Sequence, residues 1–250
     1  MRRASLDLTE LGTLVLDEAD RMLDMGFRDD IETIIKATPK SRQTLFFSAT
    51  YPKSIEAMSR AYQQDPVRVT IEDEKLTESD ISQIFYETHY EEKFQALLLL
   101  LKKNNPQSAL IFCNLKSTVD ELTQFLLKAG VSVACLHGDL EQSDRDRVMA
   151  KFRNHSTRFL VATDVAARGL DIEKLDMVIN FDLPANPEIY VHRIGRTGRA
   201  GQKGNAIALV TPREWGKVNR IEDYMDVPTQ REILDISSQT LEKTSFEAPK

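Results

Sequence analysis

Short, nearly unbroken apolar runs alternate with longer amphipathic stretches along most of this chain. Runs of this kind, too short for helices, predict strands at 13–16, 44–47, 83–88, 109–113, 131–136, 159–162, 177–181 and 206–210, with an edge strand at 67–71. Amphipathic spacing predicts helices at 29–36, 52–62, 93–101, 118–128, 144–152, 188–194 and 213–224. Pro39 ends the first of these, and Gly130 stops the helix at 118–128. The acidic stretch 71–81 offers little to bury and is expected to be a linker. From 82 to 228, strand and helix alternate regularly, which predicts an α/β unit with a parallel sheet covered on both faces. Residues 1–70 supply only two or three strands and make a partial unit of the same kind. Residues 229–250, rich in Ser, Thr and Glu towards the end, are expected to be a flexible tail.

Composition narrows the class. The chain has 250 residues, room for one large domain or two modest ones. No apolar stretch approaches the roughly 18 residues of a membrane span, and Met1-Arg2-Arg3-Ala4 does not open a secretory leader, so a cytoplasmic site is the expectation. The two cysteines, Cys113 and Cys135, lie in apolar strand segments and read as buried small hydrophobes. No Cys/His spacing matches zinc, and neither His137 nor His192 has metal-ligand company in sequence. A net charge of −6 excludes a bulk basic footprint for nucleic acid. Charge is uneven, however: residues 192–203 carry three arginines, one lysine and no acid, a strip able to meet phosphates.

The chemistry concentrates where strands end. Asp17-Glu18-Ala19-Asp20 follows the first apolar run, at the sheet edge where parallel sheets gather ligands. Asp17 there can hold Mg²⁺ through water, and Glu18 can orient or deprotonate an attacking water. An acidic helix start favoured by the helix dipole is an equal reading of the tetrapeptide alone. Ser48-Ala49-Thr50 after the second strand is weak by itself and reads as a helix cap. The block 162–172 is more specific: Thr163 ends a strand, Gly169 permits close backbone approach, and Asp171 can accept a bond from a ribose hydroxyl. Arg196 and Arg199 are three apart; on a helix they would share a face and stabilise charge on a transferred phosphoryl group. Plain backbone-phosphate contacts or surface ion pairs are the alternative.

Taken together and in this order, Asp17-Glu18-Ala19-Asp20, Ser48-Ala49-Thr50, the 162–172 block and His192 to Arg199 resemble the DEAD-box ATP-dependent RNA helicases. The resemblance covers about residues 5–225 and is supported by Leu110-Ile111-Phe112-Cys113-Asn114 and Gln142-Ser143-Asp144-Arg145. Each motif is weak, but the ordered set is specific. Within the family the chain looks most like the bacterial DbpA type, which acts on ribosomal RNA. The resemblance implies two RecA-like domains with ATP and Mg²⁺ as cofactors and RNA as partner, in a monomer working on ribosomal RNA or a pre-ribosomal particle. It implies Mg²⁺ at Asp17, catalysis by Glu18, Arg196 and Arg199, and nucleotide contacts from Gly169, Asp171, Arg196 and Arg199. It implies interdomain coupling through Asp20, Ser48, Thr50 and His192, and RNA contacts from Thr163, Arg145 and Gln142.

The chain departs from the family in one respect. No Gly-x-x-x-x-Gly-Lys-Ser/Thr loop occurs in it, and Gly216-Lys217 lacks the first glycine and the closing hydroxyl. The expectation is therefore a fragment of a longer helicase, without phosphate loop or C-terminal RNA-binding domain and poorly active alone. A non-catalytic RNA-binding or regulatory RecA-like module is the second reading, and a DNA helicase or another two-domain NTPase the third.

Overall fold

The computed structural model describes residues 6–70 except 25 and 49, residues 81–198 except 168, 169, 171 and 173, and residues 203–234. The chain divides into two compact units, 1–72 and 73–250. The stretch 71–80, read as a linker, lies outside the described residues, as does the end of the expected tail, 235–250.

The first unit contains strand β1 (Thr13–Leu16), helices α1 (Ala19–Asp24) and α2 (Arg28–Lys36), strand β2 (Gln43–Phe46) and helix α3 (Lys53–Tyr62). β1 and β2 pair in parallel, with Thr13 opposite Gln43 and Leu16 opposite Phe46. The helices present Ile31, Ile35, Ile55 and Met58 at helical spacing, and these bury Leu16 and Ala19. Its apolar surface is only partly covered: Val15 is 50% exposed and Phe47 55%. The expected edge strand at 67–71 does not form among its described residues, where 67–70 have no regular structure. Val67 and Val69 are instead 87% and 81% exposed, because β propensity without a partner strand forms no ladder.

The second unit runs β3 (Ile81–Glu87), α4 (Lys93–Asn104), β4 (Ala109–Phe112), α5 (Lys116–Lys128), β5 (Val133–Leu136), α6 (Gln142–Arg153), β6 (Phe159–Ala162), α7 (Asp164–Ala167), β7 (Met177–Asn180), α8 (Pro187–Ile194), β8 (Gly204–Val210), α9 (Trp215–Met225) and β9 (Gln230–Ile233). The strands form one seven-stranded sheet in the order β5-β6-β4-β7-β8-β3-β9, every pair parallel. Alternation along each strand feeds two faces. Ala109 and Ile111 of β4 pack with Leu97 and Leu101 of α4 and Leu122 and Leu126 of α5. Leu110 and Phe112, their neighbours in sequence, pack on the opposite face with Met149 and Phe152 of α6. That opposite face continues under α8 and α9 through Phe85, Tyr190, Ala208 and Ile221. Strands covered on both sides need no polar positions, which is why they read as unbroken apolar runs.

The predicted elements of this unit all form, with ends shifted by a few residues. α5 ends where expected: Gly130 takes φ +78° and the Val131 amide donates to the Leu126 carbonyl. One correction falls in the expected tail, where 230–233 forms β9 alongside β3, with Ile84 opposite Gln230. Among the described residues, no helix is long and apolar enough to cross a membrane.

Candidate functional site

In the first unit the sheet's carboxyl edge gathers the predicted acids and hydroxyls. Asp17 is exposed just beyond β1, and its Oδ1 accepts the Glu18 amide at 2.9 Å. Glu18 takes a left-handed φ of 49°, an uncommon conformation for a residue with a side chain, and one of its carboxylate oxygens is enclosed. That backbone kink separates strand from helix and leaves the Glu18 carbonyl to accept the Met22 amide in the first turn of α1. Asp20 is 3% exposed, and its Oδ2 accepts both the amide and the hydroxyl of Thr50, at 2.8 and 2.7 Å. The Asp20 amide donates to Ser48 Oγ, whose own hydroxyl donates to the Thr50 carbonyl. Asp20, Ser48 and Thr50 therefore form one closed network across the β1 and β2 exits. Ala49, between the two hydroxyls, lies outside the described residues.

In the second unit the arginine strip begins on α8 and continues past its end. α8 ends at Ile194, so Arg196 lies beyond the helix on which a shared face with Arg199 is conditional. Arg196 sits half-buried in the turn that follows, its carbonyl accepting the Leu175 amide at 3.1 Å. Arg199 lies outside the described residues, as do Gly169 and Asp171. Two glycines let the chain turn here. Gly198 has φ +69°, and a Cβ on it would stand 2.6 Å from the Ile81 side chain. A Cβ on Gly204 would meet the Gly198 backbone at 2.5 Å. His192, on the last turn of α8, stands 3.6 Å from Glu188.

The organising residue is Arg193, to which the sequence assigned no role. It is 2% exposed, yet all five guanidinium N–H groups have acceptors. Nε and Nη2 grip Asp164 bidentately, both at 2.7 Å. Nη1 donates to Asn180 Oδ1 and the Asp182 carbonyl, and Nη2 also donates to Asn114 Oδ1. These acceptors follow or end β6, β7 and β4, three adjacent strands. One side chain thus ties the strand exits at the ligand edge to the turn carrying Arg196. Asp182 extends the network: Oδ1 meets buried Lys93 at 3.0 Å and Oδ2 accepts the Asn114 amide at 3.1 Å. A charge this deep could have been flagged from the apolar face of the 188–194 helix, but its acceptors come from segments far apart in sequence. Burial first, and then Asp182, push the neighbouring Cys113 thiol well above the ordinary range, so it stays a small buried hydrophobe as read.

The predicted RNA-contact residues divide between two places. Gln142 and Arg145 lie in the first turn of α6 and line a cavity of about 360 Å³ with Asp146, Met149, Arg153 and Leu170. Arg145 Nη2 donates to the Ala166 carbonyl at 2.6 Å, and Gln142 donates to Asp146 at 2.8 Å. Thr163 is buried at the end of β6, and its carbonyl accepts the Ala167 amide to start α7. Arg145 therefore bonds the short helix that Thr163 opens, which links the two places. His137, which sequence left without metal-ligand company, has Asp120 and Cys135 beside it.

Comparison with known proteins places these features. Residues 1–58 match the DEAD/DEAH box helicase model and residues 92–201 the helicase conserved C-terminal domain model. The ATP-dependent RNA helicase DbpA of Escherichia coli K12 is 48% identical over 227 residues, which are 91% of this chain and 50% of that protein. The chain spans about half the length of the curated relatives it matches. Among solved structures, Saccharomyces cerevisiae Dbp5 bound to RNA and ADP BeF3 aligns with a TM-score of 0.82 at 33% identity, over 93% of this chain and 62% of that one. The E. coli DEAD-box protein SrmB, bound to regulator of ribonuclease activity A, aligns at 0.59 with 35% identity, over 62% of this chain and 91% of that one.

Proposed function

The chain belongs to the DEAD-box helicase family, and from that premise we propose that its two units serve an ATP-dependent RNA helicase that opens short duplexes. What supports the reading is the placement of Asp17, Glu18, Ser48, Thr50, Asn114, Thr163 and Asp182 at or just after the carboxyl ends of parallel strands, where such sheets receive ligands. The exposed Asp17 carboxylate is a hard oxygen donor that fits Mg²⁺, usually held through water. Mg²⁺ bound there neutralises phosphate charge. Glu18 orients the attacking water, and Arg196 with Arg199 meets the charge that builds on the transferred group. Gly169 and Asp171 contact the nucleotide.

On the RNA side, Arg145 supplies a cation and Gln142 and Thr163 supply polar contacts to backbone oxygens. Such contacts fix a strand in place without reading its bases. Asp20, Ser48, Thr50 and His192 couple hydrolysis to strain in the strand. We place the protein in the cytoplasm as a monomer working on ribosomal RNA or pre-ribosomal particles, a reading that rests on the resemblance of its ordered motif set.

The chain by itself holds no glycine-lysine phosphate loop, so the amides and lysine that grip β- and γ-phosphates in related folds are not supplied by its 250 residues. It therefore turns ATP over near background, while Arg145, Gln142 and Thr163 still serve RNA binding. RNA-stimulated phosphate release with Mg²⁺ tests this directly: near-background rates are expected, and vigorous turnover refutes the statement. Binding of a single-stranded RNA by fluorescence anisotropy is the companion test. Affinity that falls with salt and drops several-fold in Arg145→Ala is expected, and no binding at low salt removes the RNA reading. If binding is seen without turnover even after a phosphate-loop segment is supplied in trans, the second reading, a non-catalytic RNA-binding module, takes its place.

A further inference from the structure

Away from the nucleotide and RNA groups, Asp120, Cys135 and His137 each bring one ligand atom to within 4.8 Å of the others. Cys135 on β5 and His137 just beyond it are two residues apart, so both leave the same face of the sheet. α5 packs on that face, and Asp120 projects from it beside the buried Val119. His137 Nε2 stands 3.1 Å from Asp120 Oδ1, and its Nδ1 stands 4.0 Å from Asp139 Oδ2. The imidazole is 10% exposed, and its Nδ1 is enclosed without a hydrogen-bond partner among the described residues. The Asp120 side chain is half exposed, so the cluster opens to solvent on one side.

An ordinary surface ion pair accounts for Asp120 and His137 but gives no role to the thiol and leaves a buried ring nitrogen unsatisfied. A cation held at Nε2 gives thiol, imidazole and carboxylate one shared role. Ligating through Nε2 leaves Nδ1 facing Asp139, whose Oδ1 is paired with Lys116 and whose Oδ2 stands 4.0 Å away; a closer approach of Oδ2 completes the carboxylate–histidine arrangement that orients most metal-bound imidazoles. Thiolate, imidazole and carboxylate are together a zinc set, whereas Mg²⁺ and Ca²⁺ take oxygen. Three protein ligands leave a fourth position for water. Tetrahedral bonds of about 2.0–2.3 Å require ligand atoms roughly 3.3–3.7 Å apart, so the set, all within 4.8 Å, closes by about 1 Å or less on binding. Burial, and then the Asp120 charge, push the Cys135 thiol above its ordinary range; a divalent cation reverses that preference.

We propose that Asp120, Cys135 and His137 form a Zn²⁺ site, oriented by Asp139, that clamps the exit of β5 to α5. The clamped segment leads into α6, whose first turn carries Gln142 and Arg145, so the ion steadies the approach to those residues. The signal was not visible along the sequence because the third ligand comes from a separate helix.

The test is a Co²⁺ titration of the metal-free, tag-free chain under anaerobic conditions. One equivalent is expected to bind with a thiolate-to-cobalt charge-transfer band in the near ultraviolet and tetrahedral bands in the visible, all removed by Zn²⁺. Cys135→Ser abolishes the charge-transfer band, Cys113→Ser keeps it, and Asp120→Asn weakens binding at least about tenfold. Asp120 is half exposed, so its variant keeps the fold, which circular dichroism checks. No stoichiometric binding by the unaltered chain, or a charge-transfer band that survives Cys135→Ser, overturns the proposal.

Discussion

The two units carry strand-end chemistry of the same kind on sheets of very different completeness. In the first, two strands hold Asp17, Glu18, Ser48 and Thr50, and Val15 and Phe47 stand half exposed beside them. In the second, a seven-stranded sheet has its central strands β4, β6 and β7 buried along their whole length, and Arg193 braces the exits of these three with five hydrogen bonds. The Asp20 network of the first unit ties two strand exits and rests on a core of six buried side chains among the described residues. A ligand edge is only as rigid as the sheet behind it. The second unit therefore holds these strand exits in place by its own packing, whereas the exits of the first lie beside apolar surface left partly uncovered.

Substitutions should break this contrast in order of size. Arg193→Ala leaves Asp164 without its cation and strands Asn180 and Asn114, at a cost of about 3–5 kcal/mol, close to the whole stability of a small domain. Urea unfolding of the second unit measures it. Arg193→Lys retains the charge but loses the fork, so it recovers only part. Next, Ile111→Ala in the fully buried β4 costs about 2–5 kcal/mol, whereas Val15→Ala in the half-exposed β1 costs about 0.5 kcal/mol or less. Equal losses at the two positions would erase the contrast. Gly198→Ala forces a side chain into a left-handed turn against Ile81 and costs about 1–3 kcal/mol by thermal melting. Adding Ile81→Ala should make the double loss smaller than the sum.

The smallest effect is electrostatic. Burial raises the Glu222 carboxyl, but bonds from Thr229 and Arg231 outweigh it and hold the group below the ordinary glutamate range. A lowered carboxyl contributes stability that is complete above the unfolded value of about 4.3 and fades as pH falls through the folded one. Acidification below about pH 5 should thus loosen the join between α9 and β9. Melting temperature against pH should show a shallower acid slope in Glu222→Gln.

What could be read along the chain, and what could not, follows from where the information sits. β6 was predicted to the residue because its apolar run is bounded by Arg158 and Thr163. The carboxylates and hydroxyls fell at strand ends because short motifs travel with the strands that carry them. β9 was missed because Gln230-Arg231-Glu232-Ile233 has a single apolar residue; it is a strand because β3 offers an edge, with Arg231 laid over the Trp215 ring. The end of α8 at Ile194 agreed with expectation, and Arg196 therefore lies beyond the helix, where Thr197 bonds the Leu175 carbonyl. The roles of Arg193 and of the Asp120–Cys135–His137 cluster were invisible for a common reason. Their partners lie on separate elements, and only the folded sheet brings them together.

Native-state hydrogen exchange puts the difference between the two sheets to the sharpest trial. Amides of β4, β6 and β7 should exchange only by global opening of the second unit, and those of β1 and β2 at least about a hundredfold faster. Comparable protection in both sheets would contradict this, since the first unit would then be as self-sufficient as the second.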